Sequence, residues 1–91
     1  MKFDWDEAKD ARCRAERGFG FADILPVFVD PQRLVELDTR HEYGETRHRL
    51  YGRIDGRLFV VVYTFRGKLI RIISARKANE REVRKHDQSE G

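Results

Sequence analysis

The sequence predicts an α+β fold, in which two N-terminal helices and a C-terminal helix pack against a four-stranded antiparallel sheet. Apolar residues recur at helical spacing in the first thirty positions, whereas β-branched and aromatic residues punctuated by glycine dominate from Gln32 onward. A chain of 91 residues has room for one core. We therefore expect a single compact domain over residues 1–86, followed by a frayed tail over residues 87–91.

The first predicted helix follows Asp6, whose carboxylate can accept hydrogen bonds from free backbone N–H groups as an N-cap. Ala8, Ala11 and Ala15 then recur at helical spacing. Gly18 suits the left-handed conformation that ends a helix.

A second helix is predicted between Phe21 and Phe28, and Pro26 should make it short or distorted because proline cannot donate a backbone hydrogen bond. The C-terminal helix is predicted to start at the segment Asn79-Glu80-Arg81-Glu82, which has the spacing of a capping box.

Turn residues separate the segments that favour strands. Asp55-Gly56 and Gly67 predict tight reversals, so the strands on either side of each should be antiparallel. Residues 58–63 are apolar on both faces, which is typical of a central strand. The predicted strands lie near residues 33–37, 46–53, 58–66 and 69–75.

Several classes of protein are disfavoured by composition. The apolar run over residues 58–63 is far shorter than the roughly 20 residues of a membrane span, and the N-terminus lacks the apolar core of a signal peptide, so we expect a cytoplasmic protein. Cys13 is the only cysteine and is expected to be a buried thiol. His41, Glu42 and Glu45 lack a second ligand pair at convincing spacing, so neither a metal nor another cofactor is expected.

Charge is distributed unevenly along the chain. Residues 1–46 contain seven basic and eleven acidic side chains, whereas residues 47–91 contain twelve basic and five acidic ones. Arg47, Arg49, Tyr51 and Arg53 are predicted to share one face of the second strand. The C-terminal half is therefore a candidate surface for a polyanion, although a solvated basic face that has no partner is an equally simple interpretation.

The candidate site consists of cations and hydrogen-bonding groups around the predicted sheet. An RNA strand supplies its own nucleophile, the ribose 2'-OH, so a protein needs only to orient it, move its proton and neutralise the developing charge. Arginine suits the charge role because its guanidinium can hold two phosphate oxygens. We expect Arg71 and Arg76 to hold phosphate, Arg40, Arg47 and Ser74 to position RNA, and His41 or Glu45 to transfer the proton.

For each of these residues, a purely structural role is the alternative to a role in RNA binding or cleavage. The arginines could be partners of acidic side chains, and His41 and Glu45 could lie in a solvated turn. His48 is expected to pack inward and His86 to be solvated near the chain end. Two functions remain open on this reasoning: an endoribonuclease, and a non-catalytic basic module that docks nucleic acid or an acidic protein.

In their order and spacing, motifs spread over nearly the whole chain resemble the BrnT family of ribonuclease toxins, the toxin half of type II toxin-antitoxin pairs. The strongest similarity lies in the C-terminal half. The motifs are Phe3-Asp4-Trp5-Asp6-Glu7-Ala8-Lys9, Phe28-Val29-Asp30-Pro31, Asp38-Thr39-Arg40-His41-Glu42-Tyr43-Gly44-Glu45-Thr46-Arg47, Leu58-Phe59-Val60-Val61-Val62-Tyr63-Thr64, and Ile70-Arg71-Ile72-Ile73-Ser74-Ala75-Arg76-Lys77-Ala78.

This resemblance implies a RelE-like fold, metal-independent RNA cleavage that arrests growth, and neutralisation by a small antitoxin with a ribbon-helix-helix DNA-binding part. It further implies a dimeric antitoxin that joins two toxin chains. The chain departs from the family in one place, because Glu16-Arg17 precedes Gly18 where family members commonly carry a Lys-His pair. A role for a histidine at that position cannot be carried over, which leaves His41 and the arginines as the candidates.

Overall fold

A computed structural model of the protein describes residues 1–40 and 42–90, and it confirms the α+β class. The described residues form five strands and three helices. In chain order these are β1 (Lys2–Trp5), α1 (Glu7–Arg17), a 3-10 helix (Phe21–Val29), β2 (Leu34–Leu37), β3 (His48–Ile54), β4 (Arg57–Arg66), β5 (Leu69–Lys77) and α2 (Glu80–Glu90).

The sheet differs from the predicted one in its first strand. Its order is β1-β5-β4-β3-β2, and β1 pairs with β5 in parallel, so the sheet is mixed and five-stranded rather than antiparallel and four-stranded. β1 was not predicted because its four residues give too short an alternation, and its partner β5 lies more than sixty positions away. The four predicted strands are all present, and the pairs β2–β3, β3–β4 and β4–β5 are antiparallel as expected.

Local signals correctly place the N-terminal helices. The Asp6 carboxylate accepts from the backbone N–H groups of Ala8 and Lys9 at 2.8 and 3.1 Å, and Gly18 ends α1 with a positive φ. The predicted distorted second helix is a 3-10 helix that contains Pro26. Its tighter winding is consistent with a proline that has no N–H to donate.

α2 begins with the predicted capping box. Asn79 and Glu82 each accept the other's backbone N–H through their side chains, both at 2.9 Å. The helix continues to Glu90, through part of the segment for which the sequence predicts a frayed tail. None of the described helices is long and apolar enough to cross a membrane.

His86 contradicts the expectation that it is solvated. Its side chain lies on the inner side of α2, the residue is only 2% exposed, and its Nε2 lies 3.1 Å from the backbone oxygen of Gln32. Helical periodicity explains the difference, since His86 is one turn beyond Val83, which packs against the sheet.

The two faces of the sheet are covered differently. α1 and the 3-10 helix cover one face with a large apolar core. α2 covers only one end of the other face, where Val83 packs near Leu58, Val60 and Ala78. We call the uncovered remainder of that second face the open face. Side chains of the large core include Cys13, Phe21, Ile24, Val27, Phe28, Leu50, Val61, Tyr63, Ile72 and Ala75.

Gly52 is required where β3 passes beneath the 3-10 helix. A Cβ at this position would lie 2.8 Å from Val27 Cβ and 3.0 Å from the Val27 backbone oxygen. We expect Gly52→Ala to lower the free energy of unfolding by about 1–3 kcal/mol, because the packed core cannot shift to admit the methyl group. Urea unfolding followed by circular dichroism measures this change. Val29→Ala, on the exposed end of the same 3-10 helix, should change it by less than about 0.5 kcal/mol.

Candidate nucleic-acid interface

A β-bulge in β5 determines which of its side chains reach the open face. Ser74 pairs with Val62 and Ile72 pairs with Tyr63, so Ile73 is an extra residue in β5. In a regular strand successive side chains point to opposite faces, so Arg71 and Ser74, which are three residues apart, would lie on opposite faces. Because Ile73 is an extra residue, the two side chains lie on the same face.

Arg71, Ser74 and Arg76 therefore form a row along β5. They lie opposite Thr64, Val62 and Val60, which alternate on one face of β4. Thr64 and Val60 are four residues apart on β4, so at about 3.3 Å per residue the row opposite them spans about 13 Å. Ser74 is exposed between the two arginines. These three predicted site residues are thus brought together.

Both arginines of the row have carboxylate partners. Arg71 Nη1 donates to Asp4 on the neighbouring strand β1 at 3.2 Å. Arg76 donates from Nη1 and Nη2 to the two oxygens of Glu82 at 2.7 and 2.8 Å. This two-bond contact lowers the pKa of Glu82, and it ties Arg76 to the start of α2.

A buried carboxylate, Asp38, organises the residues beyond β2. Its side chain is 1% exposed, and it accepts from Arg40 Nε and Nη2 at 2.8 and 2.9 Å. Arg49 Nη1 lies 3.5 Å from it, and the Tyr43 hydroxyl donates to it at 3.3 Å. The hydrogen bonds from Arg40 hold the pKa of Asp38 well below its usual range.

A second carboxylate pairs across β2 and β3. Glu36 lies directly opposite Arg49 and accepts from its Nε and Nη2 at 3.1 and 2.8 Å. These bonds lower the pKa of Glu36. Tyr51 also donates its hydroxyl to Glu36 at 3.2 Å, and burial raises the pKa of that hydroxyl.

The segment between β2 and β3 forms an open pocket of about 640 Å³. Arg47 lies over the ring of Tyr43 at 3.8 Å, and its Nε is 3.6 Å from Glu45 Oε2. The Thr64 hydroxyl fastens this segment to the sheet by donating to the Thr46 carbonyl at 2.6 Å. Described residues that line the pocket are Leu37, Asp38, Thr39, Arg40, Glu42, Tyr43, Gly44, Glu45, Thr46 and Arg47.

The predicted site residues thus fall into two groups. Arg40, Glu45 and Arg47 share the pocket, whereas the row along β5 lies on the open face. The groups are linked through Arg49, which lies opposite Val62 on β4 and whose Nη1 is 3.5 Å from Asp38 in the pocket lining. His41, the other candidate for proton transfer, lies outside the described residues.

Arg17, the second residue of the Glu16-Arg17 segment, lines a cleft of about 200 Å³ between α1 and β5 together with Cys13 and Ser74. Cys13 is buried as expected, and burial raises the pKa of its thiol. His48 packs against the other face of the sheet, stacked on Tyr63 with 5.2 Å between ring centroids.

Sequence reasoning did not assign a site role to Asp38, Glu36, Tyr43 or Arg49. One signal could have identified most of them. Glu36 lies on one predicted strand, Asp38 directly follows it, and Arg47 and Arg49 alternate on the next strand, which is the pattern of paired opposite charges across neighbouring strands. Within residues 1–40 and 42–90, no three His, Cys, Asp or Glu side chains are grouped so that they could hold a metal ion.

Comparison with models of protein families matches residues 5–82 to the family described as ribonuclease toxin, BrnT, of type II toxin-antitoxin system. The matched region contains α1, the whole of β2 to β5 and the start of α2. Comparison with curated proteins finds no match.

Asp38 should make stability depend on pH. Its pKa is lower in the folded chain than the value of about 3.9 expected when unfolded, so its contribution is present above that value and is lost as the pH falls through the folded pKa. At pH 7 we expect Asp38→Asn to lower the free energy of unfolding by about 2 kcal/mol. Urea unfolding between pH 7 and pH 2.5 should show the difference from the natural chain shrinking below about pH 4. Glu42→Gln, in the same segment, is the control and should have little effect at any pH.

Proposed function

The chain belongs to the BrnT family of ribonuclease toxins of type II toxin-antitoxin systems, and on this basis we propose that it cleaves RNA on the open face without a metal ion and thereby arrests growth in the cytoplasm. RNA is the substrate of this family and an antitoxin is its partner. The observation that carries the proposal is the row of Arg71, Ser74 and Arg76 along β5. A RelE-like arrangement of the domain is part of the same proposal.

In the proposed reaction the ribose 2'-oxygen attacks the adjacent phosphorus, and the bond from phosphorus to the 5'-oxygen breaks. The Glu45 carboxylate or His41 takes the 2'-OH proton, and the departing 5'-oxygen receives a proton from the conjugate acid or from water. The arginines hold the phosphate oxygens and stabilise the charge that develops on them. The products are a 2',3'-cyclic phosphate and a 5'-hydroxyl.

Hydrogen-bonding capacity favours Arg71 as the stronger phosphate ligand. A guanidinium has five N–H donors, and Arg71 is bonded to Asp4 through Nη1. Arg76 uses both terminal nitrogens on Glu82 and also reaches the Lys77 carbonyl. Arg71 therefore has more donors available for phosphate, while Arg76 contributes its charge.

We further propose that the antitoxin is dimeric, carries a ribbon-helix-helix part and joins two toxin chains. An acidic segment of it would cover the same basic region that RNA uses, since a chain of 91 residues has little surface to spare. Binding of RNA and of antitoxin is then mutually exclusive. A stable ternary complex in a titration of antitoxin against bound RNA would contradict a shared surface.

The chemistry is tested with RNA and EDTA. We expect the purified chain, freed of antitoxin, to cleave RNA at an unchanged rate in EDTA and to leave 2',3'-cyclic phosphate ends, which mass spectrometry detects. A strand with deoxyribose at the cleaved position should bind but stay intact, because it lacks the nucleophile. Cleavage of that strand, or activity that depends on an added divalent metal, would contradict the mechanism. If natural RNA binds but stays intact, the non-catalytic binding module is the better description.

A matched pair of variants separates a phosphate role for Arg71 from a structural one. Arg71→Gln should reduce the cleavage rate about 10- to 100-fold, the value of a hydrogen bond to a charged group. Asp4→Asn breaks the same ion pair but keeps the arginine, so it should cleave at least as fast as the natural chain. Circular dichroism checks that both variants are folded. Equal losses in the two variants would show that Arg71 acts only through its bond to Asp4.

A further inference from the structure

β5 has a free edge beyond the end of β1. β1 pairs with β5 only as far as Ile72, and no other described strand lies on that side. The Ala78 N–H bonds to the Leu58 carbonyl, and bonded positions alternate along an antiparallel ladder, so Ala75 is not bonded to β4. Its N–H and C=O therefore point outward, and the carbonyl accepts from the Cys13 thiol at 3.7 Å.

The outward N–H of Ala75 is a free donor at a cleft. No hydrogen bond joins it to another group in the part of the chain that the structure describes. Ala75 lines the cleft of about 200 Å³ between α1 and β5, together with the buried side chains of Cys13 and Phe21. Backbone N–H groups of this kind are common ligands of nucleic-acid phosphates.

The cleft takes its charge from one face of α1. Lys9, Arg12 and Arg17 lie on this face, and all three are exposed and line the cleft. None of the described lining residues is a carboxylate. Asp10 and Arg14 lie on another side of α1, where they pair with each other and Asp10 accepts from the 3-10 helix. The helix therefore sorts its charges so that cations face the cleft.

The carboxylates near these cations engage them only weakly. Neither Lys9 nor Arg12 forms an ion pair within residues 1–40 and 42–90. The Asp6 carboxylate, near Lys9, already accepts from two N–H groups at the start of α1. Arg17 Nη1 lies 3.6 Å from Glu16, but both side chains are exposed and such a contact contributes little. Donors in the cleft are thus available to an anion.

We propose that this cleft holds a phosphate of the RNA strand, adjacent to the phosphate that is cleaved at the row along β5. The Ala75 N–H and the side chains of Lys9 and Arg12 donate to its oxygens. Ser74 belongs both to the row and to the cleft lining, so the strand passes over the free edge of β5 from one to the other. The inference rests on the proposed function in taking RNA as the ligand and the row as the place of cleavage.

Size and continuity favour a nucleic-acid phosphate over other anions. The cleft is smaller than the roughly 300–1,000 Å³ of pockets for drug-sized ligands, so it admits a phosphate rather than a base or a peptide segment. A strand carries a phosphate at every nucleotide, so binding at the row brings the next phosphate to the cleft. A free phosphate ion has the same chemistry but lacks this second attachment, and a carboxylate of the antitoxin has no such fixed spacing.

The salt dependence of binding tests the cleft. The probe is a single-stranded 2'-O-methyl RNA, which keeps its phosphates but cannot attack them, and fluorescence anisotropy measures its affinity for the antitoxin-free chain. Arg12→Gln should weaken binding about tenfold, the value of a hydrogen bond to a charged group. The slope of log affinity against log salt concentration should become shallower by about 0.7, because one phosphate contact to a single strand is lost.

Arg14→Gln is the matched control. Arg14 has the same charge on the same helix, but it pairs with Asp10 and Asp23 and lies outside the cleft lining. Its variant should keep the affinity and the slope of the natural chain. Circular dichroism checks folding, and Lys9→Gln is the second variant if Arg12→Gln does not fold. An unchanged slope in a folded cleft variant, or an equal change in Arg14→Gln, would overturn the proposal.

The Ala75 amide reports on the ligand directly. In NMR spectra of the labelled chain, its N–H resonance should shift when the 2'-O-methyl strand is added, and an unmoved resonance at saturation would overturn the proposal. If inorganic phosphate saturates the shift at the concentration that the strand needs, the site belongs to a free phosphate ion and the proposal is wrong. A shift caused by the cognate antitoxin but not by the strand would overturn it in favour of an acidic protein.

These readouts do not require cleavage, so they separate this inference from the proposed function. A chain that binds the strand through the cleft but leaves natural RNA intact contradicts the proposed catalysis and supports the cleft as a phosphate site. A chain that cleaves RNA while the Ala75 resonance stays unmoved supports the catalysis and overturns the inference.

Discussion

The pairing of β4 with β5 determines which side chains lie on the open face. β4 is apolar on both sides, so helices can cover most of its length on one face and part of it on the other. The extra residue Ile73 then changes the side on which β5 presents its arginines. With regular alternation, Arg71 would point towards the helices, where its charge would need a buried partner. The bulge therefore determines both the packing of the core and the composition of the open face.

The arginines of this surface are fixed by carboxylates. Glu36, Asp38 and Glu82 each accept two hydrogen bonds from one guanidinium, and the resulting contacts lower the pKa of all three. The pairs fix the direction of each guanidinium, which reduces the entropy that the proposed phosphate-binding role would cost. They also occupy N–H groups that this proposed role requires. Preorganisation and competition thus arise from the same bonds, and their balance differs between Arg71 and Arg76.

Signals within a few residues gave correct predictions. Asp6, Gly18, the Asp55-Gly56 turn and the capping box at Asn79 each act over one turn of chain. Features that depend on contacts between distant segments could not be predicted from such local signals. β1 needs β5 to become a strand, and His86 is buried only because α2 folds back onto the loop at Gln32.

The candidate site shows the same division. Its residue types are evident from the basic C-terminal half and from the family resemblance. The sequence Ile70-Arg71-Ile72-Ile73 contains no signal for the bulge that aligns Arg71 with Ser74. The partners of Asp38 become evident only when β2 pairs with β3.

The attachment of α2 has one more consequence. Its hold on the sheet combines a small apolar contact at Val83 with the ion pairs Arg76–Glu82 and Arg53–Asp87. Added electrolyte screens such pairs more than it weakens the core, so α2 detaches at a lower cost than the sheet unfolds. Raised ionic strength therefore weakens the pair between Arg76 and Glu82 before it unfolds the sheet.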